Sequence, residues 1–545
     1  MPWLQNYDPL HNAALSTLVA GVPVIVMLFL LAWSHMAVHK AAAIALFLSL
    51  AGSVFVFGMP MQAAGMAAVN GALFGLMPIG WMVVNIVFLH RLTVERGWFE
   101  VLKGQLARLA PDSRIQVVLV AFCFGAFFEG TAGFGAPVAV TSAMMISLGF
   151  KPLEACGLSL IANTAPVAFG SLGTPLMALN AVTGIDLMTL SKMVGRQLPV
   201  FSLIVPFWVV VAHSGWRGLR GVWPASLTAG LAFAIPQFFV SNYHGPALVD
   251  IISSICSMAA LVLLLQVWKP RDVQVADPAA AATPAPSGRH PDAFRCWVPW
   301  LIMCALVFAW GLPDSKGVLD RVFVKNIEIP GLHLAVQRAQ PVAPPTAKPE
   351  EAVFKFNALS TTGTSIWIAA MISGLFMGFD IGDLLRHYGH TIWKLRLSLL
   401  TIATMLALGY VTKYSGTDAT LGLALAHTGW LYPFFSPMLG WLGVALTGSD
   451  TASNVLFGSL QSITAHQVGV SPVLLSSANS SGGVMGKMID AQSIVVASTA
   501  TGWFGHEGKI LRYVFLHSLV LAALVGVLVL LQAYVWPFTQ MVVAP

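Results

Sequence analysis

Three ionisable side chains stand where an apolar sequence has little other use for charge, each beside a run of glycine or small polar residues. Glu129 ends an apolar stretch and is followed at once by the break Gly130–Pro137. Asp450 lies in Thr447-Gly448-Ser449-Asp450-Thr451-Ala452-Ser453-Asn454, and Lys487 ends Gly482-Gly483-Val484-Met485-Gly486-Lys487. Charges inside apolar segments are expensive and mark substrate and ion pathways. A carboxylate so placed can load and unload a proton, and a lysine can hold an anion. Each also has a plainer reading. Glu129 and Asp450 could cap a following half-helix, and Lys487 could belong to a structural ion pair or reach out to the interface. His427, in Ala424-Leu425-Ala426-His427-Thr428-Gly429, offers an imidazole that titrates in the useful range, or a packing histidine.

Donors for a small carboxylate anion are offered by half-helix N-termini. They comprise the first break with Gly133 and Gly135, Asn163 and Thr164 in a second break running from Asn163 to Pro175, and Asn479, Ser480, Ser481, Gly482 and Gln492 further on. Asn163 and Asn479 could equally satisfy freed backbone groups. Ser449, Thr451 and Asn454 are weaker donors, because hydroxyls often bond back to their own helix. Arg196 could attract anions or, more readily, serve as an interfacial topology anchor, and Lys413 with Tyr414 reads as an outer gate or an interfacial belt. The stretch before Lys487 fails as a phosphate loop, since Ser481 and Met488 stand where Gly and Ser/Thr belong. No HExxH, GxSxG, CxxC or Cys/His cluster is present. Neither an enzyme nor a metal site is therefore expected, and no cofactor beyond a coupling ion: a proton, with sodium as the alternative.

The elements that must position these residues are set by composition. Of 545 residues, 57% are hydrophobic and 9% charged, where a soluble chain carries about a quarter charged residues. The expected fold is an all-α polytopic membrane protein of 12–14 spans, with two broken-helix, re-entrant hairpin arrays. Apolar runs near 12–32, 40–58 and 70–90 can each cross a core of about 30 Å. The basic loop 91–114 then marks the cytoplasmic side and puts both termini outside. Residues 1–268 form an N-terminal half with its array at 115–180, and 269–296 a cytoplasmic linker. Residues 297–545 form a C-terminal half with an extracytoplasmic loop, 313–358, and an array at 419–503. Gly448-Ser449-Asp450-Thr451, Gly469-Val470-Ser471-Pro472 and Ala478-Asn479-Ser480 echo Gly130-Thr131, Gly149-Phe150-Lys151-Pro152 and Ala162-Asn163-Thr164 in order. This suggests an inverted pseudo-repeat if 419–430, short for a span, does not cross. Gly71 and Gly75 make a GxxxG face that admits a close helix neighbour. The net charge of +6 fits basic loops rather than nucleic-acid binding, and the five cysteines look like small core residues.

Several long motifs carry a resemblance. GAFFEGTAGFGAPVAV (125–140), NTAPVAFG (163–170), GRQLP (195–199), ALAHTG (424–429), FFSPMLGWLGVALTGSDTASN (434–454), GGVMGKMIDAQSI (482–494) and LQNYDPLHN (4–12) resemble the bacterial lactate permease family. The resemblance covers nearly the whole chain and is weakest in 270–295 and 313–350. It implies a carrier in the bacterial inner membrane that takes up L-lactate, D-lactate and glycolate with a proton. It also implies paired re-entrant hairpins of the ion-transporter type, which often move as an elevator. Asp490 and Ala491 stand where the family motif has Ser and Pro, which changes the charge beside Lys487. Partners are then the small-molecule substrate and the lipid bilayer, with a monomer or homodimer both open. A sodium-coupled carrier of the same fold and a passive anion channel are the rival readings.

Overall fold

A computed structural model describes residues 2–32, 36–99, 101, 111–131, 136–276, 293–344, 346–503 and 506–544. The expected glycine donors Gly133 and Gly135, and residues 277–292 of the expected linker, lie outside the described residues. Described segments are overwhelmingly helical, because a chain in hydrocarbon must satisfy its backbone polar groups internally.

Among the described residues, six helices are long and apolar enough to cross a membrane on their own: Met61–Glu95, Ser113–Thr131, Leu187–Tyr243, Val249–Val267, Ile381–Ser415 and Glu507–Tyr534. Shorter apolar helices occupy Ala13–Met27, His39–Phe55, Pro137–Ser147 and Thr362–Phe376. The 57-residue helix Leu187–Tyr243 turns at Gly215, whose φ of 66° leaves the helical region. The predicted spans 198–213 and 223–243 fall on either side of that turn.

The two arrays share one plan. In the first, Ser113–Thr131 and Ala136–Ser147 are followed by Pro152–Ala162 and then, after a break, Gly170–Thr183. The second runs Tyr432–Thr447, Asp450–Gln467, Pro472–Gly486 and Ala491–Ala500. Each helix after a hairpin turn carries proline in its first turn, Pro152 and Pro472, where a missing N–H costs nothing. Between them, Thr417–Ala426 has ten residues. At about 1.5 Å per residue it spans roughly half of a hydrocarbon core.

The helices Val38–Phe55 and Met61–Phe74 pack on Ile381–Ser415, and Trp81–Glu95 packs on Thr362–Phe376. Packing therefore joins the first and last halves of the chain. Gly71 and Gly75 admit a close approach there: a methyl group on Gly71 would stand 2.3 Å from the Leu406 carbonyl oxygen, and one on Gly75 3.0 Å from the Ala403 Cα. The N-terminal strand Trp3–Leu4 pairs in parallel with Val336–Gln337, so the N-terminus and the 313–358 excursion meet at one end of the molecule. Elsewhere Arg114 bonds Asp112 at 2.7 Å and Asp272 at 3.3 Å, tying the end of the basic loop to the segment after Val267.

Candidate functional site

The broken ends of both arrays converge on one cavity of about 370 Å³. Its polar lining comes from Glu129, the Gly170–Pro175 turn, Thr447–Thr451, Lys487 and Gln492. The opposite wall comes from Ile79, Val83 and the Leu397–Leu406 stretch, mostly aliphatic with the hydroxyls of Ser398 and Thr401. Met36, Ala37 and His39 also line it. Every buried charge of the lining therefore belongs to the arrays.

Local sequence explains how the ends are held open. Ser171 (φ 44°), Leu172 (φ 62°) and Gly173 (φ 81°) are all left-handed, and the helix that follows contains Pro175. Two non-glycine residues in this region are strained, and such strain gathers at ligand sites. In the second array Gly448, at φ 73°, ends Tyr432–Thr447, and Ser449 caps Asp450–Gln467 by accepting from the Ala452 amide at 3.3 Å. The cap is thus Ser449 and not Asp450, which frees the Asp450 carboxylate for other bonds. Its Oδ2 accepts from Ser480 Oγ at 2.5 Å and from Asn454 Nδ2 at 3.4 Å, while Oδ1 has no hydrogen-bond partner. Asn454 also donates to the Pro175 carbonyl at 3.1 Å, stitching the two arrays together.

Glu129 is buried, and its Oε2 accepts from Asn163 Nδ2 at 3.1 Å. Its Oε1 lies 2.8 Å from where a Gly170 side chain would begin, so any larger residue there would push the carboxylate from its place. The charges that act on it include Lys487 and Asp490 of the other array. Lys487 Nζ donates to the Gly448 carbonyl at 2.6 Å and pairs with Asp490 at 3.4 Å. Asp490 also accepts from the Ser493 amide at 2.7 Å, capping the last half-helix. The departure from the family motif at Asp490 keeps the cap and gives Lys487 a carboxylate partner.

Of the residues expected from sequence, Glu129, Asp450, Lys487, Ser449, Thr451 and Gln492 line the cavity. Asn163 holds Glu129 from behind, and Ser480 does the same for Asp450. Thr164 bonds back to the Ile161 carbonyl at 2.8 Å and does not line it. Asn479 bonds Asn454 at 2.9 Å and Gln461 at 3.2 Å. Asn479-Ser480-Ser481-Gly482 proves to be continuous helix within Pro472–Gly486, so its amides are spent on the helix and the break falls at Lys487–Asp490. His427 is exposed past the end of Thr417–Ala426 and lines a separate cavity of about 990 Å³ with Gln5, Asn6 and Tyr7. That placement removes it from the group around Glu129. Arg196 bonds Asn242 at 3.3 Å and the Met541 carbonyl at 3.0 Å and does not line the cavity. Tyr414 donates to the Glu351 carbonyl at 3.0 Å, and Gln5 donates to the Lys413 and Tyr414 carbonyls at the excursion end.

The break read from Asn163 to Pro175 contains the Ser171–Gly173 turn; sequence reasoning missed the Gly448 carbonyl as a lysine acceptor, and Asp250, which the span 246–268 hid. Asp250 is an ionisable residue in an apolar run, and the rule that singled out Glu129 would have found it. Among the described residues no group of three or more His, Cys, Asp or Glu side chains is placed to hold a metal.

Comparison with known proteins gives a consistent result. A profile described as L-lactate permease matches residues 16–536. Glycolate permease GlcA of Escherichia coli K12 is 48% identical, over 99% of this chain and 100% of that protein. L-lactate permease of the same strain is 43% identical over 98% of both chains. That of Bacillus subtilis 168 is 42% identical over 98% of this chain and 99% of its own. Among solved structures, the YdaH transporter of Alcanivorax borkumensis is 14% identical over 85% of this chain and 86% of that one, with a TM-score of 0.41.

Proposed function

Because this chain belongs to the L-lactate permease family, we propose that it carries lactate and glycolate, small 2-hydroxy monocarboxylates, into the bacterial cell together with a proton. The observation that carries this reading is the single cavity shared by Lys487, Glu129 and Asp450. Two half-helix N-termini, at Thr174 after the left-handed Ser171–Gly173 turn and at Asp450, open on the same space and add their positive ends to the lysine. A carboxylate of the substrate lies against Lys487 and the Ser449–Thr451 turn. Its 2-hydroxyl faces the polar groups of the other array at Ser171 and Thr174.

Coupling follows from charge. A substrate anion entering beside Glu129 and Asp450 meets two carboxylates, and protonating one of them removes a repulsion and brings the loaded site closer to neutral. A site closer to neutral crosses a low-dielectric barrier at lower cost. The aliphatic wall of Ile79, Val83, Ile402, Met405 and Leu406 presents no fixed charge to the arrays, which suits an elevator-like displacement along it. We place the chain in the inner membrane, with both termini extracytoplasmic.

The test is labelled L-lactate and glycolate uptake into proteoliposomes under an inward proton gradient without sodium. Accumulation above equilibrium that collapses with a protonophore is the expected result. Accumulation only when sodium is supplied would move coupling to a cation site, and flux without counterflow would make the protein a channel.

A further inference from the structure

We propose that Asp250 is a second proton-binding carboxylate of the transport site, exchanging a proton with Glu129. Asp250 lies in the first turn of Val249–Val267, is 1% exposed, and neither of its carboxylate oxygens has a hydrogen-bond partner. The residue next to Glu129 is what touches it: a methyl group on Gly130 would lie 2.8 Å from the Asp250 Cβ. Glycine at position 130 thus lets the two acid-bearing helices meet.

An acid in a first turn ordinarily accepts from free amides or complements the helix dipole. Asp250 accepts from none, so it does not serve as a cap. A buried carboxylate without partners is retained as an anion only at great cost. Ser113–Thr131, Gly170–Thr183 and Leu187–Tyr243 pack against its helix. Among the described residues, Glu129 is the charged group acting on Asp250, while Lys487 and Asp490 act on Glu129 from the cavity side. Two neighbouring carboxylates titrate as a pair. In the empty site the pair holds one proton on Asp250, and Glu129 is the anion facing Lys487. When a substrate carboxylate takes Lys487, the O–H bond on Asp250 breaks and its proton forms an O–H bond on Glu129. On release to the other side that bond breaks and the proton leaves with the substrate. Back in the empty state, Glu129 takes one proton from cavity water and passes it to Asp250, so each cycle moves one proton with one substrate.

This inference rests on the reading that Glu129 carries the coupling proton, and the experiment separates the two. Proton-driven uptake and lactate counterflow are measured across pH for the unmodified chain and for Asp250→Asn, an isostere of the neutral acid. The expected result is retained counterflow, with the uptake–pH profile reduced from two-proton to one-proton steepness and its midpoint moved by about one pH unit. An unchanged midpoint and steepness, with or without lower thermal stability, would overturn the role of Asp250 and leave the proposed function standing. Absence of proton-driven accumulation in the unmodified chain would overturn that function itself. Should Asp250→Asn fail to fold, calorimetric counting of protons taken up per lactate across pH in the unmodified chain decides: two coupled ionisations support the pair, and one ionisation overturns it.

Discussion

Asn163 donates through Nδ2 to the Oε2 of Glu129 at 3.1 Å, which joins the end of one helix of the first array to the break in another. The bond fixes where the carboxylate stands, and Asn163 Oδ1 is left without a partner. Glu129→Gln keeps the shape and removes the titration. Gradient-driven accumulation of lactate is expected to vanish, while lactate–lactate counterflow remains within about tenfold of the unmodified chain, since exchange needs no net proton movement. Parallel uptake and counterflow assays in proteoliposomes check both halves.

Lys487 reaches the Gly448 carbonyl and Asp490 from a single Nζ. A hydrogen bond to a charged group contributes about 1.5–3 kcal/mol. Lys487→Met is therefore expected to raise the KM for lactate by about 10- to 100-fold. Lys487→Arg is expected to rescue little, because a planar fork replaces a compact ammonium. Initial-rate uptake over a range of lactate concentrations measures this.

Ser480 donates to Asp450 at 2.5 Å from the continuous helix behind it. Ser480→Ala leaves a buried carboxylate with the weaker Asn454 contact alone. Loss of one hydrogen bond to a charged group is expected to cost about 1.5–3 kcal/mol of stability, read as earlier unfolding in detergent. Asp450→Asn in the same background is expected to recover part of that loss.

How much of this was legible beforehand is shown by Glu129, Lys487 and Asn479. The first two are charges in apolar surroundings, and chemistry alone marks them. The position of Asn479 was read from an echo of Asn163, but the echo marks sequence order rather than backbone shape. Asn163 sits in a break because Pro166, Gly170 and Gly173 follow it. Asn479 is followed by Ser480-Ser481-Gly482-Gly483, and close packing of Gly482 and Gly486 on Pro437 and Trp441 keeps that stretch helical. Tertiary contact decided the matter. The GxxxG face at Gly71 and Gly75 was visible, whereas its partner on Ile381–Ser415 could not be named from spacing.

At that face a methyl group on Gly71 meets the Leu406 backbone at 2.3 Å. Backbone cannot yield as a flexible side chain can. Gly71→Ala is expected to destabilise the protein by about 1–3 kcal/mol, measured by thermal unfolding in detergent, with the KM of any remaining uptake unchanged because Gly71 does not line the cavity.

In the excursion, Ser360 donates to Asp320 and Lys355 donates to it at 2.9 Å. The Ser360 hydroxyl first, and then the Lys355 ammonium, hold this carboxyl below its usual range. A lowered folded-state value means that the stability it contributes is present above the unfolded-state value and is lost as pH falls through the folded one. Asp320→Asn is expected to loosen the excursion at neutral pH by less than about 1 kcal/mol, as suits a partly exposed pair. The difference disappears in acid, and limited proteolysis of 313–358 at the two pH values reads it.

The ion pair of Lys487 and Asp490 has an electrical consequence. Its two charges cancel within 3.4 Å, so they make no net contribution to the proposed movement of the arrays through the transmembrane field. Moving one uncompensated charge through that field is worth about 2.3 kcal/mol per 100 mV. Under the proposed symport, substrate anion plus one proton adds no charge, so the loaded and empty arrays carry the same net charge. Membrane voltage then acts on the cycle only through whichever of Glu129 and Asp450 remains ionised, and the dependence of uptake on voltage becomes a count of ionised carboxylates.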